Sequence, residues 1–262
     1  LTLGQPLVGS TGTVTNGIRV LAYSKLEMVN GIVSGLNSEA LRGLQNYGAT
    51  VLEDVVFADM SETYDSIGNF GSVTLKGNTV IPNGTKSAIL NSTYLYSDDS
   101  QVPVEIIIED ATVQTGKIKV DLKEYTHSQT GTINAADPVI TISAGTIESI
   151  IVSGDDKEVV GGITGGTFTA AVPEELCANG VIPKDNGDGT FGVKVGAYKV
   201  AMDVNGTVTK YETINEAIAA APTDSYANGK AGGSATLATI TLLSDCEGGF
   251  DVGVETLSLI HI

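Results

Sequence analysis

One pattern of eight residues recurs along the first two thirds of the chain and restricts the fold more than any other feature. Apolar residues alternate through its first half, a Gly, Asn or Asp follows, and an apolar residue ends it. The three clearest copies are residues 26–33 (LEMVNGIV), 73–80 (VTLKGNTV) and 140–147 (ITISAGTI), and looser copies begin at Leu1, Thr50, Ile106 and Gly161. Recurrence at intervals of this size is typical of a stacked repeat protein.

Each copy predicts a short strand followed by a turn. Alternating Val, Ile, Leu and Thr indicate a strand with one buried face. The Gly, Asn or Asp that follows tolerates the left-handed backbone of a tight turn. Copies begin 21 to 34 residues apart, and the two longest intervals contain the polar insertions 97–101 and 125–131. We therefore expect loops on one side of the stack, over 81–103 and 114–137.

Two or three strands in each repeat favour an all-β fold, a right-handed parallel β-helix solenoid of about seven coils. Leucine-rich repeats have a similar period, but their Leu-x-x-Leu-x-Leu signature is missing from the sequence. A β-sandwich is the alternative, because it also contains many short strands between regular turns.

The repeat pattern stops near Phe168, and the sequence after it predicts a different organisation. We assign 1–169 to the β-helix coils, 170–196 to a short capping segment and 197–262 to the helix-capped start of a second β-helix. The capping segment contains a helical turn, a turn cluster at 183–190 and a strand at 191–195. Solenoids need such caps, because an open last coil exposes backbone groups and apolar side chains.

The third segment begins with a hairpin signal at Asn205–Gly206. A capping box formed by Thr213 and Glu216 predicts a helix from Ile214 to about Ala221, ended by Pro222. A buried strand is predicted at 238–243.

Two stretches of this segment, 211–221 (YETINEAIAAA) and 238–246 (ATITLLSDC), resemble the entry module of pectate-lyase-like right-handed β-helices. In that superfamily a short helix caps the first coil. Residues 163–168 and 180–190 resemble linkers in modular surface proteins of gut Firmicutes, where β-helix segments occur in tandem. The resemblance implies a second β-helix from near residue 200 and an extracellular or cell-surface location. We expect the chain to be a monomeric segment of a longer protein.

The charge of the chain restricts its partners. The net charge is −17, with only 14 Lys and Arg residues, so nucleic acid and anionic membranes are repelled. No apolar run approaches the ~20 residues of a membrane span, and we predict no membrane insertion. Host or microbial glycans and surface proteins are the expected partners. Residues 258–262 (SLIHI) resemble a translated sequencing adapter, so we expect them not to be native.

Catalytic motifs of the resembled superfamily are not found as a set. Polygalacturonase-type enzymes carry Asn-Thr-Asp, Asp-Asp, Gly-His-Gly and Arg-Ile-Lys, and only Asp-Asp pairs occur here. The carboxylates nearest the predicted coils are Glu27, Asp54, Glu109 and Asp110, for which solvated turn positions are the simpler interpretation. The two arginines, Arg19 and Arg42, do not stand beside an acidic motif, which weakens the case for a lyase. We predict no catalytic residue, with a polysaccharide lyase or glycoside hydrolase as the alternative.

Metal and redox chemistry are not predicted either. Residues 185–190 (DNGDGT) resemble the start of a calcium loop, but the twelfth position holds Gly196 where an EF-hand needs Glu. A hairpin turn is the favoured interpretation, with no metal and no cofactor. Cys177 and Cys246 predict two isolated, buried thiols.

The remaining candidates for ligand contact lie in or near the two insertions. They are Tyr94, Tyr96, Asp98, Asp99 and Tyr125. Exposed tyrosines are common on sugar-binding surfaces, although packing at the loop bases also explains the three rings. The sequence therefore predicts a non-catalytic structural or adhesive segment, with a carbohydrate-binding or polysaccharide-degrading module as the alternative.

Overall fold

A computed structural model describes residues 12–14, 17–34, 42–94, 103–127, 130–134, 136–222, 238–246 and 258–261. The fold is all-β, as predicted, with 52% strand and 6% helix. Contacts divide the chain into two units, Leu1–Lys194 and Val195–Ile262. None of the helices in the described ranges has the length and apolar character that a membrane span needs.

The strands of the first unit are short and follow one another closely. They are β1 (Gly12–Val14), β2 (Ile18–Val20), β3 (Lys25–Val29), β4 (Gly31–Ser34), β5 (Arg42–Asn46), β6 (Ala49–Glu53), β7 (Val56–Ala58), β8 (Asp65–Asn69), β9 (Ser72–Lys76), β10 (Val80–Ile81), β11 (Ser87–Ser92), β12 (Glu105–Ile108), β13 (Gln114–Asp121), β14 (Val139–Ile142), β15 (Thr146–Ser153), β16 (Val160–Ile163), β17 (Thr167–Phe168), β18 (Val181–Asp185) and β19 (Phe191–Val195). Two 3₁₀ turns, Met60–Glu62 and Glu174–Leu176, interrupt the series.

The pairing of these strands follows a regular rule. From β1 to β10 each strand pairs in parallel with the third strand after it, and from β11 to β15 with the second. The change occurs at β13, which is eight residues long and pairs with both β10 and β11. β13 therefore takes the place of two short strands and the turn that separates them in the preceding repeat.

The copies of the eight-residue pattern pair with one another at the same position. Leu26 is opposite Thr50, Thr50 opposite Val73, and this alignment continues through Ile106 and Ile140. The final step aligns Ile140 with Gly161. The copy beginning at Leu1 lies outside the described residues. Six copies therefore form one ladder, β3-β6-β9-β12-β14-β16, without a change of register.

The apolar residues of this ladder face the core in a continuous column. Residues without solvent exposure there include Leu52, Val73, Leu75, Ile106, Ile108, Ile140 and Ile142. Alternation along each strand places these side chains on one face, as predicted.

Left-handed turns follow the ladder strands where the sequence predicted them. Asn30, Asp54 and Gly77 have φ values of 53°, 54° and 57°. Stacked turns bond to each other, since Asn30 N–H donates to the carbonyl of Glu53 at 3.0 Å.

The predicted loops over 81–103 and 114–137 are wrong in part. They contain β11 and β13, whose residues Ile89, Ile118 and Val120 are fully buried. The polar insertions suggested longer loops than exist, because a buried strand can stand directly beside a polar turn. Insertion 97–101 lies outside the described residues.

A row of buried asparagines runs across β5, β8 and β11. Asn46 Nδ2 donates to Asn69 Oδ1 at 2.8 Å, and Asn69 Nδ2 donates to Asn91 Oδ1 at 2.7 Å. Each amide also donates outward, Asn46 to the carbonyl of Ser72 and Asn69 to that of Glu105. The strands hold these residues in register, so buried amides satisfy one another from strand to strand.

The end of the first unit has the predicted helical turn and strand. Leu176, in the second 3₁₀ turn, is fully buried. The backbone of Cys177 forms an isolated parallel β-bridge with Ile163 of the last ladder strand. β17 then pairs antiparallel with β19 through Phe168 and Phe191.

The second unit contains β20 (Val200–Val204), β21 (Thr207–Tyr211), α1 (Ile214–Ala220), β22 (Ala238–Leu242) and β23 (Ser258–His261). Asn205 and Gly206 form the predicted hairpin turn with positive φ. Both bonds of the predicted capping box are present between Thr213 and Glu216. β22 pairs antiparallel with β20 and parallel with β23.

Candidate functional site

Four aromatic rings form a column beside the asparagine row. Tyr47 follows β5, Phe70 follows β8, Tyr94 comes after β11 and Tyr125 after β13. Consecutive ring centroids are 4.9, 5.7 and 5.5 Å apart; the first pair is stacked and the other two meet edge to face. Neighbouring strands lie ~4.8 Å apart, which places equivalent rings at a favourable separation for aromatic pairs.

The column passes from the interior to the surface. Tyr47 and Phe70 are buried, Tyr125 is partly buried, and Tyr94 is 45% exposed. The ring of Tyr94 is nevertheless held between Phe70 and Tyr125. An exposed ring with fixed neighbours loses little conformational entropy when a ligand covers it.

Tyr125 is fixed by its hydroxyl group as well as by its ring. The hydroxyl donates to Asp121 Oδ2 at 2.7 Å, and Asp121 is only 8% exposed. Burial, and then the hydrogen bond and charge of Asp121, raise the pKa of Tyr125 to about 12. Lys123 Nζ lies 5.8 Å from the centroid of the same ring. Tyr125 therefore stays neutral and oriented at neutral pH.

A largely buried ion pair lies next to Phe70 of the column. Arg42 Nη2 is 3.1 Å from Asp65 Oδ2, and Ser87 Oγ donates to Asp65 Oδ1 at 2.6 Å. The guanidinium carbon of Arg42 is 5.5 Å from the centroid of Phe70. A Cβ at Gly68 would collide with Cδ and Nε of Arg42, so glycine is what lets the arginine lie against the sheet.

The predicted ligand contacts separate into two groups. The structure brings Tyr94 and Tyr125 together, whereas Tyr96, Asp98 and Asp99 lie outside the described residues. Sequence reasoning missed Tyr47, Phe70 and the whole ion pair.

Signals for these missed residues exist. Asn46–Tyr47 and Asn69–Phe70 are matching dipeptides in neighbouring repeats. Arg42 has no acidic motif beside it in the sequence; its partner Asp65 comes from the adjacent strand β8, opposite Arg42 in register.

The carboxylates considered for catalysis have contacts of their own. Asp54 accepts from the backbone N–H of Asn78 at 2.7 Å and from its Nδ2 at 2.9 Å, and these bonds lower the pKa of Asp54. Asp110 accepts from the N–H of Gly77 at 2.8 Å. Glu27 pairs loosely with Lys25 at the surface, at 3.8 Å. Asp54 and Asp110 thus stabilise the turns that follow the ladder strands by accepting hydrogen bonds from them.

Residues 185–190 form the connection between β18 and β19, which pair with each other. Asp185 Oδ1 accepts from the N–H of Gly187, and Asp188 Oδ1 accepts from both the N–H and the hydroxyl of Thr190. The bonds to Thr190 lower the pKa of Asp188. These are hairpin contacts, as predicted. Within the described ranges, no group of three or more His, Cys, Asp and Glu side chains could hold a metal ion.

Both cysteines are free thiols, as predicted, but neither is buried: each is partly exposed. Burial, and then the charges of Glu174 and Glu175, raise the pKa of Cys177 to about 11. A thiol with so high a pKa is a weak nucleophile at neutral pH.

Comparison with known proteins returned no match: no family model, no curated protein and no solved structure is similar to this chain.

Proposed function

We propose that the chain is a non-catalytic structural or adhesive segment of a secreted or cell-surface bacterial protein, built as a right-handed parallel β-helix. The first unit would be the β-helix with its cap, and the second unit the start of another. The observation that carries the proposal is the six-strand ladder in which successive copies of one sequence pattern pair without a change of register.

Strand connectivity supports the β-helix. When each strand pairs in parallel with the third strand after it, the intervening strands must form the other faces of a coil. Parallel crossover connections are right-handed in about 98% of cases, which favours the right-handed form. Six coils at ~4.8 Å intervals span roughly 24 Å from the first to the last.

Side-chain contacts supply the stiffness that a supporting segment needs. In a solenoid each coil is stabilised chiefly by its neighbours. Here apolar columns fill the interior, and the asparagine row adds hydrogen bonds from coil to coil. A stack of this kind resists bending because tilting one coil breaks contacts with both adjacent coils.

The roles of the carboxylates support a non-catalytic function. Glycoside hydrolysis requires two carboxyl groups facing one substrate bond. Asp54 and Asp110 instead accept hydrogen bonds from the turns of neighbouring repeats. Asp65 is paired with Arg42 and buried.

A carbohydrate-binding module is the second candidate, and the contact between Tyr94 and Tyr125 favours it. An exposed tyrosine on a rigid support is suited to a sugar ring, since its body is apolar and its hydroxyl polar. This candidate is compatible with an adhesive segment. A polysaccharide-degrading enzyme is not.

Incubation of the whole chain with polygalacturonate, followed by a reducing-sugar assay, separates these functions. We expect no release above the buffer control. Release that disappears in the Asp54→Asn or Asp110→Asn variant, with folding retained, would overturn the non-catalytic proposal. The Asp185→Asn variant is the control for loss of an exposed carboxylate, because the contact of Asp185 lies within the hairpin.

A further inference from the structure

We infer that Tyr94 and Tyr125 form a contact site for a neutral glycan. The inference deepens the proposed adhesive function and rests on it. It names the surface that would carry adhesion and the class of ligand that would occupy that surface.

The exposed ring of Tyr94 is preorganised for ligand contact. Tyr94 is exposed, yet its ring meets Phe70 at 5.7 Å and Tyr125 at 5.5 Å. Behind them Phe70 stacks on buried Tyr47. The support therefore extends through four strands to the interior of the first unit, and a ligand meets a surface that is already ordered.

The chemistry of the two tyrosine side chains suits a sugar ring. A pyranose ring has faces of C–H groups and a rim of hydroxyl groups. The C–H face packs on an aromatic ring, while phenol, carboxylate and ammonium groups bond the hydroxyls. Tyr94 offers the exposed ring, and next to it the hydroxyl of Tyr125 and the exposed ammonium of Lys123 provide polar groups.

The charges around the rings and on the whole chain favour a neutral ligand over an anionic one. The charge of Arg42 is paired with that of Asp65. Next to Tyr125, Glu124 and Asp156 add negative charge, since the Glu124 N–H donates to Asp156 Oδ2 at 2.9 Å. The whole chain carries −17, so a polyanion such as polygalacturonate is repelled on approach. A neutral sugar is the ligand that this environment admits at least cost.

Tyr64 differs from Tyr94 in its support. Tyr64 is exposed to a similar extent, at 48%, and Lys86 Nζ lies 5.1 Å from its ring centroid. Tyr64 is not part of the ring column, which makes it the matched control.

Affinity gel electrophoresis of the full chain, with neutral mannan or xyloglucan in the gel, tests the inference. We expect retardation by at least one of these polymers and none by polygalacturonate. The Tyr94→Ala variant should weaken the apparent affinity about tenfold, which corresponds to ~1.4 kcal/mol. The Tyr64→Ala variant should migrate like the parent chain. Circular dichroism confirms the fold of each variant.

The Tyr94→Phe variant covers the case in which Tyr94→Ala does not fold. It keeps the ring and its edge contacts, and we expect a loss of a few-fold from the missing hydroxyl. The inference is overturned if neither neutral polymer retards the chain, if Tyr64→Ala loses as much as Tyr94→Ala, or if every folded Tyr94 variant binds like the parent. Retardation by polygalacturonate alone would also overturn it.

The two proposals fail separately. Failure of retardation removes the glycan site and leaves a structural segment. Enzymatic release of reducing sugar removes the non-catalytic function even if the glycan site is present.

Discussion

Two columns of side chains cross the first unit, and they stabilise the same kind of strand stacking by different means. The apolar column of the ladder β3-β6-β9-β12-β14-β16 depends on burial alone, and residues of different size replace one another along it. The asparagine row uses one residue type at every step, with bonds of 2.7 and 2.8 Å. Burial has no direction and tolerates variation, whereas hydrogen bonds require one geometry. The polar row therefore defines the register more strictly than the core does.

Removing one residue from the apolar column should have the largest effect on stability. Ile106→Ala deletes buried side-chain volume between Val73 and Ile140, and such changes cost about 2–5 kcal/mol. Denaturant unfolding of the whole chain measures the change. Ile107→Ala is the matched control, because Ile107 is only partly buried on the opposite face of the same strand. Equal losses would contradict the assignment of the core face.

Breaking the asparagine row should cost slightly less, roughly 3 kcal/mol. Asn69→Ala removes the acceptor for Asn46 and the donor for both Asn91 and the carbonyl of Glu105. Each buried group left unpaired costs about 1–3 kcal/mol, less where water enters. The control is Asn78→Ala, at an exposed site. A loss under about 1 kcal/mol would mean that burial alone maintains this register.

A side chain added at Gly68, next to the ion pair, should lower the unfolding free energy by a smaller amount, and this loss should depend on Arg42. Gly68→Ala pushes Arg42 away from Asp65 and leaves a buried carboxylate less well paired, at an expected cost of about 1–3 kcal/mol. In an Arg42→Ala background the same substitution should cost less, because the collision is gone. Unfolding free energies of the four proteins form a double-mutant cycle. Additive losses would show that the two residues do not interact.

The smallest effect concerns Tyr125, whose contribution to stability changes with pH only in the alkaline range. Its folded-state pKa of about 12 lies above the unfolded value near 10. The stability that this shift contributes is complete below pH ~10 and is lost as the pH rises towards about 12. The difference in unfolding free energy between the parent chain and Tyr125→Phe should therefore narrow between pH 10 and 12. A difference that is constant across this range would contradict the raised pKa of Tyr125.

Much of the stacking could be read from local pattern. The alternation in each octet, the turn residue after it and the intervals between copies predicted which strands pair, and Leu26, Thr50 and Val73 do align. The hairpin at Asn205–Gly206 and the capping box of α1 were also predictable, since each depends on residues at most three positions apart. The limits of the loops could not be predicted, because β11 and β13 directly follow or precede polar segments.

The candidate site was harder to predict because its residues come from different repeats. Tyr94 and Tyr125 were singled out as separate exposed rings. Their contact, and the support from Phe70, depend on the stacking of β8, β11 and β13. Arg42 and Asp65 are 23 residues apart and become neighbours only through strand pairing.

By itself, the sequence determined the all-β character, the repeat and the residues at which the chain turns. Those features follow from periodicity and from backbone preference, which act within a few residues. Only the tertiary structure decided that four rings form one column, that three asparagines share their hydrogen bonds, and that Arg42 lies over Gly68. These contacts join residues 22 or more positions apart, and their geometry is set by the parallel register of strands that local preferences do not specify.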